Sequence, residues 1–231
     1  MPLPTKIKDL VEALNLIPHP EGGFFLETFR SGIPVPMSAM GQTAFDCENP
    51  STDLMVAHGR ESNRPDGDAR RNILTTIYWA PTIKSQVLPV VCNASDHVHF
   101  YQGGKPFHYH MFDPKTKEYS HEILGPDLAN GHKLQLITKG GSWKCGFLVV
   151  DSEEGKDYEY CLLGESVAPG FDFHDFRWVN EEEMRRACKD QEHLEIFLKH
   201  VHADEGTQTV DIAAEYYEDD EQRENRTNER I

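Results

Sequence analysis

The chain has 231 residues, enough for one domain with a full hydrophobic core, and its 23 basic against 39 acidic residues give a formal charge of −16. So acidic a surface repels phosphate backbones and anionic bilayers, which argues against nucleic acid and membrane as partners. No stretch approaches the roughly 20 apolar residues of a membrane helix, and the first residues lack the basic-then-apolar layout of a secretion signal, so the expected location is cytoplasmic.

Ile7, Leu10, Val11 and Leu14 recur at helical spacing behind Thr5, a residue able to cap them, so a short amphipathic helix is expected at the start. It runs into Ile17-Pro18-His19-Pro20-Glu21-Gly22-Gly23, where two prolines and two glycines forbid regular structure. Phe24 to Arg30 then alternate like a strand. Residues 31–70 are rich in Pro, Gly, Ser, Asn and Asp with few periodic apolar positions, which reads as a long loop insertion.

Short β-type runs follow at Ile73 to Trp79, Ile83 to Val91, Val98 to Tyr101, Pro106 to Phe112, Lys133 to Thr138, Trp143 to Val150 and Tyr158 to Val167. Turn signals such as Gly103-Gly104, Asp113-Pro114, Gly125-Pro126, Asn130-Gly131 and Gly140-Gly141 separate them. That spacing predicts an all-β sandwich or barrel over residues 1–180.

Asn180 before Glu181, Glu182 and Glu183 marks a helix start, with carboxylates against the positive end of the dipole. Met184, Cys188, Leu194, Phe197 and Leu198 carry a helical extension through 202, with a break near Asp190. From Ala203 onward ten acidic and three arginine side chains form a tail with few apolar anchors. Such a tail does not repay its ordering entropy and is expected to stay solvated. The five cysteines, Cys47, Cys92, Cys145, Cys161 and Cys188, are odd in number and lack CxxC spacing, which suits reduced thiols used as small apolar filler.

Three segments carry a further signal. The first is His19-Pro20-Glu21-Gly22-Gly23 followed by Glu27-Thr28 and Arg30-Ser31. The second runs from Ser95-Asp96 through Phe100 and Tyr101 to Gly104, Pro106 and Phe107, and on to Leu124-Gly125-Pro126-Asp127-Leu128. The third is Val167-Ala168-Pro169-Gly170-Phe171-Asp172-Phe173 with Asp175-Phe176, supported by Trp143 after its glycine turn. Together, over roughly Leu10 to Val179, they resemble a domain-of-unknown-function family of the cupin superfamily, cupin family five. The resemblance implies a jelly-roll barrel of the double-stranded β-helix type, paired as a homodimer, with a small-molecule pocket in the barrel mouth. It implies no particular reaction, and fold does not fix function.

Cupins that use a metal hold it with two His, a Glu and a further His, a donor set suited to iron, manganese, zinc or nickel. In their first motif, HxH is followed by three or four residues, Glu, six residues and Gly. With Gly104 as the closing glycine, His97 falls in the Glu slot, and the two preceding slots fall on Val91 and Asn93, or on Val90 and Cys92. In the second motif, PxG then two residues and His, Gly141 puts Lys139 in the Pro slot and Lys144 in the ligand slot. One slot of four keeps a strong ligand, so no metal is expected at the standard positions and no cofactor is implied. A different set stays open, because His97 and His99 share one strand face and His108 and His110 share one face of the next run.

Without a metal, His97 is the natural proton carrier, with Tyr101 and Glu21 as the other candidate catalytic groups. Glu21 lies between a proline turn and a glycine pair, a rigid backbone for a carboxylate at a barrel rim. Candidate ligand-binding residues are His99 beside His97, Lys144 for an anionic group, Trp143 and Phe173 as apolar faces for a sugar ring, Asp96 to orient an imidazole, and Arg30 to clamp a carboxylate or phosphate. Three classes of function stay open. A binding module for a sugar-like or anionic small molecule needs only the cavity. An isomerase or epimerase needs an acid and a base facing it, and a structural or storage protein needs neither.

Overall fold

Period-two alternation of apolar side chains builds most of this molecule, and short helices cover what the strands leave apolar. The computed structural model describes residues 2–19, 21–36, 70–85, 87–149, 153 and 155–201. Helix α1 (Ile7–Leu14) precedes strands β1 (Ile17–Pro18), β2 (Phe24–Arg30), β3 (Pro34–Pro36), β4 (Arg70–Asn72), β5 (Thr75–Ala80) and β6 (Val87–Asn93). There follow β7 (Asp96–Gly104), β8 (Phe107–Phe112), β9 (Tyr119–Leu124), β10 (Gln135–Thr138), β11 (Trp143–Leu148), β12 (Cys161–Ala168) and β13 (Phe176–Trp178). Helices α2 (Glu181–Ala187) and α3 (Gln191–Leu198) close the described chain.

One sheet has the order β1-β2-β5-β12-β7-β10, a second has β13-β6-β11-β8-β9, and β3 pairs with β4. The two large sheets meet face to face over Trp79, Leu163 and Cys161 from the first and Leu88, Phe107, Tyr109, Met111 and Leu148 from the second. This is the antiparallel jelly-roll architecture expected, with a helix before the barrel and helices after it.

The outer face of each sheet also carries an apolar patch, and helices cover it. Helix α1 lays Ile7, Leu10 and Val11 on Phe24, Ala80, Tyr160 and Leu162 of the first sheet. Helices α2 and α3 lay Met184, Leu194 and Phe197 on Val90, Phe112, Trp143 and Cys145 of the second. Asn180 caps α2 as its sequence position requires, accepting from the Glu183 N–H at 2.9 Å while Glu183 accepts in return. Asp190 caps α3 by accepting from the His193 N–H at 3.0 Å, which accounts for the break between the two helices.

The structure departs from the sequence reading at several elements. Thr5 does not cap α1: the N-cap is Lys6 without a side-chain cap, and Glu159 accepts the Ile7 N–H at 3.1 Å instead. A residue 152 positions away thus does the work of a local cap. Strands β9 and β13 went unread because their side chains are mostly half-buried, so neither shows a clean apolar alternation. Most of the 31–70 insertion and the tail from 203 lie outside the described residues. No helix among the described residues is long and apolar enough to cross a membrane.

Candidate functional site

The first sheet brings His97, His99 and Glu165 onto one interior face. His99 stands directly opposite Glu165 across the β7–β12 ladder, and His97 stands two residues along. Opposed residues hold their Cβ atoms about 5 Å apart, so the register alone puts the imidazoles and the carboxylate within reach. Strand β11 of the facing sheet supplies Lys144, whose long stem crosses the interior.

These four side chains are all buried: His97 is 4% exposed, His99 0%, Lys144 6% and Glu165 6%. Glu165 Oε1 makes a very short contact with His97 Nδ1. Lys144 Nζ lies 3.3 Å from Glu165 Oε1 and 3.3 Å from His97 Nδ1. His99 Nδ1 lies 3.8 Å from Glu165 Oε2 and 3.3 Å from the Tyr109 hydroxyl. Burial by itself would raise the Glu165 carboxyl. The Lys144 ammonium and the hydrogen bond from His97 outweigh that and hold it well below the usual carboxylate range.

Glu165 is therefore an anion, and the His97 nitrogen against it carries the proton. Burial lowers the His97 imidazole below its ordinary value, and the nearby Lys144 charge lowers it further, so the ring is neutral and its Nε2 is an acceptor. His97 Nε2 and His99 Nε2 are both buried without a hydrogen-bond partner among the described residues. Burial also depresses His99, to about 3.

Glu21 faces the same cluster from the turn before β2. Burial raises its carboxyl to about 7, with Lys144 pulling down and the Glu165 charge pushing up. The turn that carries it is tightly held. Gly22 (φ +107°) and Gly23 (φ +75°) take backbone conformations that favour glycine, and a Cβ at Gly23 would lie 2.3 Å from the Ala80 carbonyl oxygen. The Trp79 indole donates to the Gly22 carbonyl at 3.1 Å, and the Glu21 N–H donates to His19 Nδ1 at 3.1 Å. Two carboxylates in one site are thus pushed apart, Glu165 to the ionised side and Glu21 to neutrality, as acid–base sites require.

Of the residues singled out in the sequence, Glu21, His97, His99 and Lys144 come together. The others do other things. Tyr101 points inward, but its hydroxyl donates to the Gly104 carbonyl at 2.6 Å and burial pushes its phenol above the usual range, so it is no proton donor to the cluster. Trp143 lies on the opposite face of β11 from Lys144, packed on Phe112 and Phe197, because neighbouring strand residues point to opposite faces. Arg30 grips Glu27 at 2.7 Å, Asn72 at 3.1 Å and the Phe171 carbonyl at 3.0 Å, tying β2 to the loop before β13. Asp96 receives Gly140 N–H at 2.8 Å and Lys139 Nζ at 3.0 Å, closing an exposed turn. Phe173 packs edge-on against Phe171. The second histidine pair also separates from the first, since His108 and His110 contact His121 and Phe147 on the outer side of the second sheet.

Glu165 and Tyr109 were missed. Glu165 had a signal: it is the one charged residue in the apolar run Cys161 to Val167, in phase with Leu163 and Val167. Tyr109 had none, since an inward tyrosine reads as core.

The ligand atoms of His97, His99 and Glu165 lie within 4.8 Å of one another, which invites a metal. A divalent ion bonded at about 2.1 Å to the two atoms that flank Lys144 would lie within about 5.4 Å of the ammonium, its 3.3 Å separation plus one bond length. At an effective dielectric near 20 that repulsion is about 6 kcal/mol, a large part of what metal binding yields. His97 Nδ1 is moreover committed to Glu165. With Lys144 charged and in place, the residues present do not fit a divalent ion.

Comparisons with known proteins agree with the architecture. A family model described as cupin superfamily (DUF985) matches residues 8–179. An uncharacterized protein of Saccharomyces cerevisiae is 28% identical over 181 residues, covering 78% of each chain. Among solved structures, a hypothetical protein from Leishmania major superposes with a TM-score of 0.64 at 22% identity, over 85% of this chain and 98% of that one. A Shewanella oneidensis protein superposes with a TM-score of 0.59 at 21% identity, over 85% and 98%. At such identities the structures speak for the fold alone.

Proposed function

This chain belongs to the DUF985 family of the cupin superfamily, and from that premise and the site above we propose that its barrel interior binds a small, uncharged, hydroxyl-rich molecule without a metal and exchanges a proton with it. One observation carries the reading: a neutral His97, oriented by Glu165 through Nδ1, holds Nε2 buried and unpartnered among the described residues, in an interior where Lys144 and Glu165 also act on the Glu21 carboxyl. His97 is the base and Glu21 the acid, a pairing suited to isomerase or epimerase chemistry on a sugar-like substrate. Glu21 is half-buried whereas His97, His99, Lys144 and Glu165 are buried, so the ligand enters on its side.

Charge separates the sugar-like from the anionic ligand. The Lys144 ammonium is matched by Glu165 at 3.3 Å, and Glu21 adds negative charge as it ionises, so this cluster of described residues offers no unmatched cation to a phosphate or carboxylate. A thermal-shift series with neutral sugars, sugar phosphates and small carboxylates, run in the presence of EDTA, tests this. A neutral sugar at a hundred times its dissociation constant should add about 2.7 kcal/mol of stability, with the response lost in His97→Ala. Incubation of that sugar in deuterated water should then label one carbon-bound position with the native chain and not with His97→Ala. Stabilisation by anions alone, undisturbed by His97→Ala, overturns the proposal.

A further inference from the structure

We infer that Lys144 is the resident cation of this barrel: its ammonium occupies the place of a divalent ion among His97, His99 and Glu165, and these three residues become a divalent-metal site when it is removed. The inference rests on the metal-free reading of the site, and it is tested by metal alone, whether or not any sugar binds.

Three observations meet here. The donor set is complete in kind, two imidazoles and a carboxylate with ligand atoms within 4.8 Å, the chemistry that cobalt, zinc and nickel prefer. Both imidazoles have a buried Nε2 without a partner among the described residues. The cation set against His97 and Glu165 belongs to the other sheet: His97, His99 and Glu165 stand on the paired strands β7 and β12, while Lys144 reaches in from β11. The frame of the three donors is therefore held by a ladder to which Lys144 contributes nothing. A lysine ammonium supplies the positive charge that keeps Glu165 ionised, but it has no vacant orbital for a substrate oxygen. The same substitution thus preserves the electrostatics of the interior and removes Lewis-acid chemistry from it.

Lys144→Met keeps the length of the stem and deletes the charge, and Lys144→Gln is a second, polar replacement. Co²⁺ is titrated into the full-length native chain and each variant, purified without an affinity tag, and followed by visible absorption and calorimetry. We expect one additional Co²⁺ per chain in Lys144→Met or Lys144→Gln, bound at least about a hundredfold more tightly than by the native chain. The addition should vanish when Glu165→Gln is combined with either replacement, which separates this site from His108, His110 and His121 on the outer side of the second sheet. Co²⁺ should also raise the thermal midpoint of the Lys144 variants and leave that of the native chain unchanged. The inference is overturned if the native chain binds Co²⁺ in a manner lost with Glu165→Gln, or if a folded Lys144 variant gains no Co²⁺ affinity. A gain that survives Glu165→Gln overturns it too. The sugar response of the native chain in EDTA is read independently, so failure here does not decide that reading.

Discussion

At the scale of single residues, the His97–His99 cluster rests on one ion pair, Glu165 and Lys144, whose partners keep each other buried. Glu165→Gln deletes the anion and leaves the Lys144 ammonium without its 3.3 Å partner in a site only 6% exposed. Breaking such a pair from one side costs about 3 to 5 kcal/mol, to be read as a lower chemical-denaturation midpoint with an unchanged slope. Glu21 behaves in the opposite sense. Its folded carboxyl is raised from 4.5 to about 7, so its protonated form is the favoured native one. The folded chain keeps that proton where the unfolded chain loses it, and stability falls as pH rises between about 4.5 and 7. Glu21→Gln removes the cost, so the midpoint of the variant should exceed that of the native chain by more at pH 8 than at pH 5. Lys144, Glu165 and Tyr109 face Glu21 and stay unchanged in this comparison. A pH-independent difference would mean that Glu21 is solvated and not part of the site.

At the scale of elements, the glycine pair before β2 shows how a turn aims a carboxylate. Gly23→Ala meets two penalties, a positive φ and a Cβ placed 2.3 Å from a backbone oxygen that cannot swing away. Gly131→Ala meets only the first, since its φ is +85° and nothing lies within 4 Å of the added Cβ. The second change should cost about 1 kcal/mol and the first about 3 or more, with thermal midpoints falling about 2 to 4 °C per kcal/mol. Equal losses would show that the turn can shift. The C-terminal helices make a parallel case. Phe197 is fully buried against Phe112 and Trp143, so Phe197→Ala should cost about 3 to 5 kcal/mol. A loss under about 1 kcal/mol would show that the helices are an appendage and not part of the core.

At the scale of the whole molecule, five histidines, His97, His99, His108, His110 and His200, are pushed toward the neutral form. Burial is the first cause in each case: His97 and His200 are lowered, His99 falls to about 3, and His108 and His110 fall to about 4. Each is a base whose folded value lies below its unfolded 6.5, so its contribution is present above that pH and is lost as pH falls toward the folded value. Per group the slope is up to about 1.4 kcal/mol per pH unit, and less for half-buried His108. Glu21 opposes with one carboxyl, so the imidazoles win. The thermal midpoint should fall steeply from pH 6.5 to 4.5, and calorimetry in buffers of different ionisation enthalpy should detect net proton uptake on unfolding. A flat midpoint across that window would mean that the imidazoles are solvated.

The sequence by itself determined an all-β sandwich or barrel with flanking helices, because strand alternation, turn glycines and the Asn180 helix start are local properties that each act within a few residues, and the motif resemblance narrowed this to a jelly roll. It also singled out Glu21, His97, His99 and Lys144, residue types that stand out against apolar neighbours. It placed Trp143 with Lys144 although consecutive strand residues diverge, and it counted ligand slots along the chain from Gly104. Which side chains meet is decided by ladder register and by the apposition of two sheets. Glu165 pairs with His97 from 68 positions away, and Lys144 reaches the same carboxylate from a strand that belongs to the other sheet. Those distances are set by packing alone, so only the folded barrel reveals that its interior cation is a lysine.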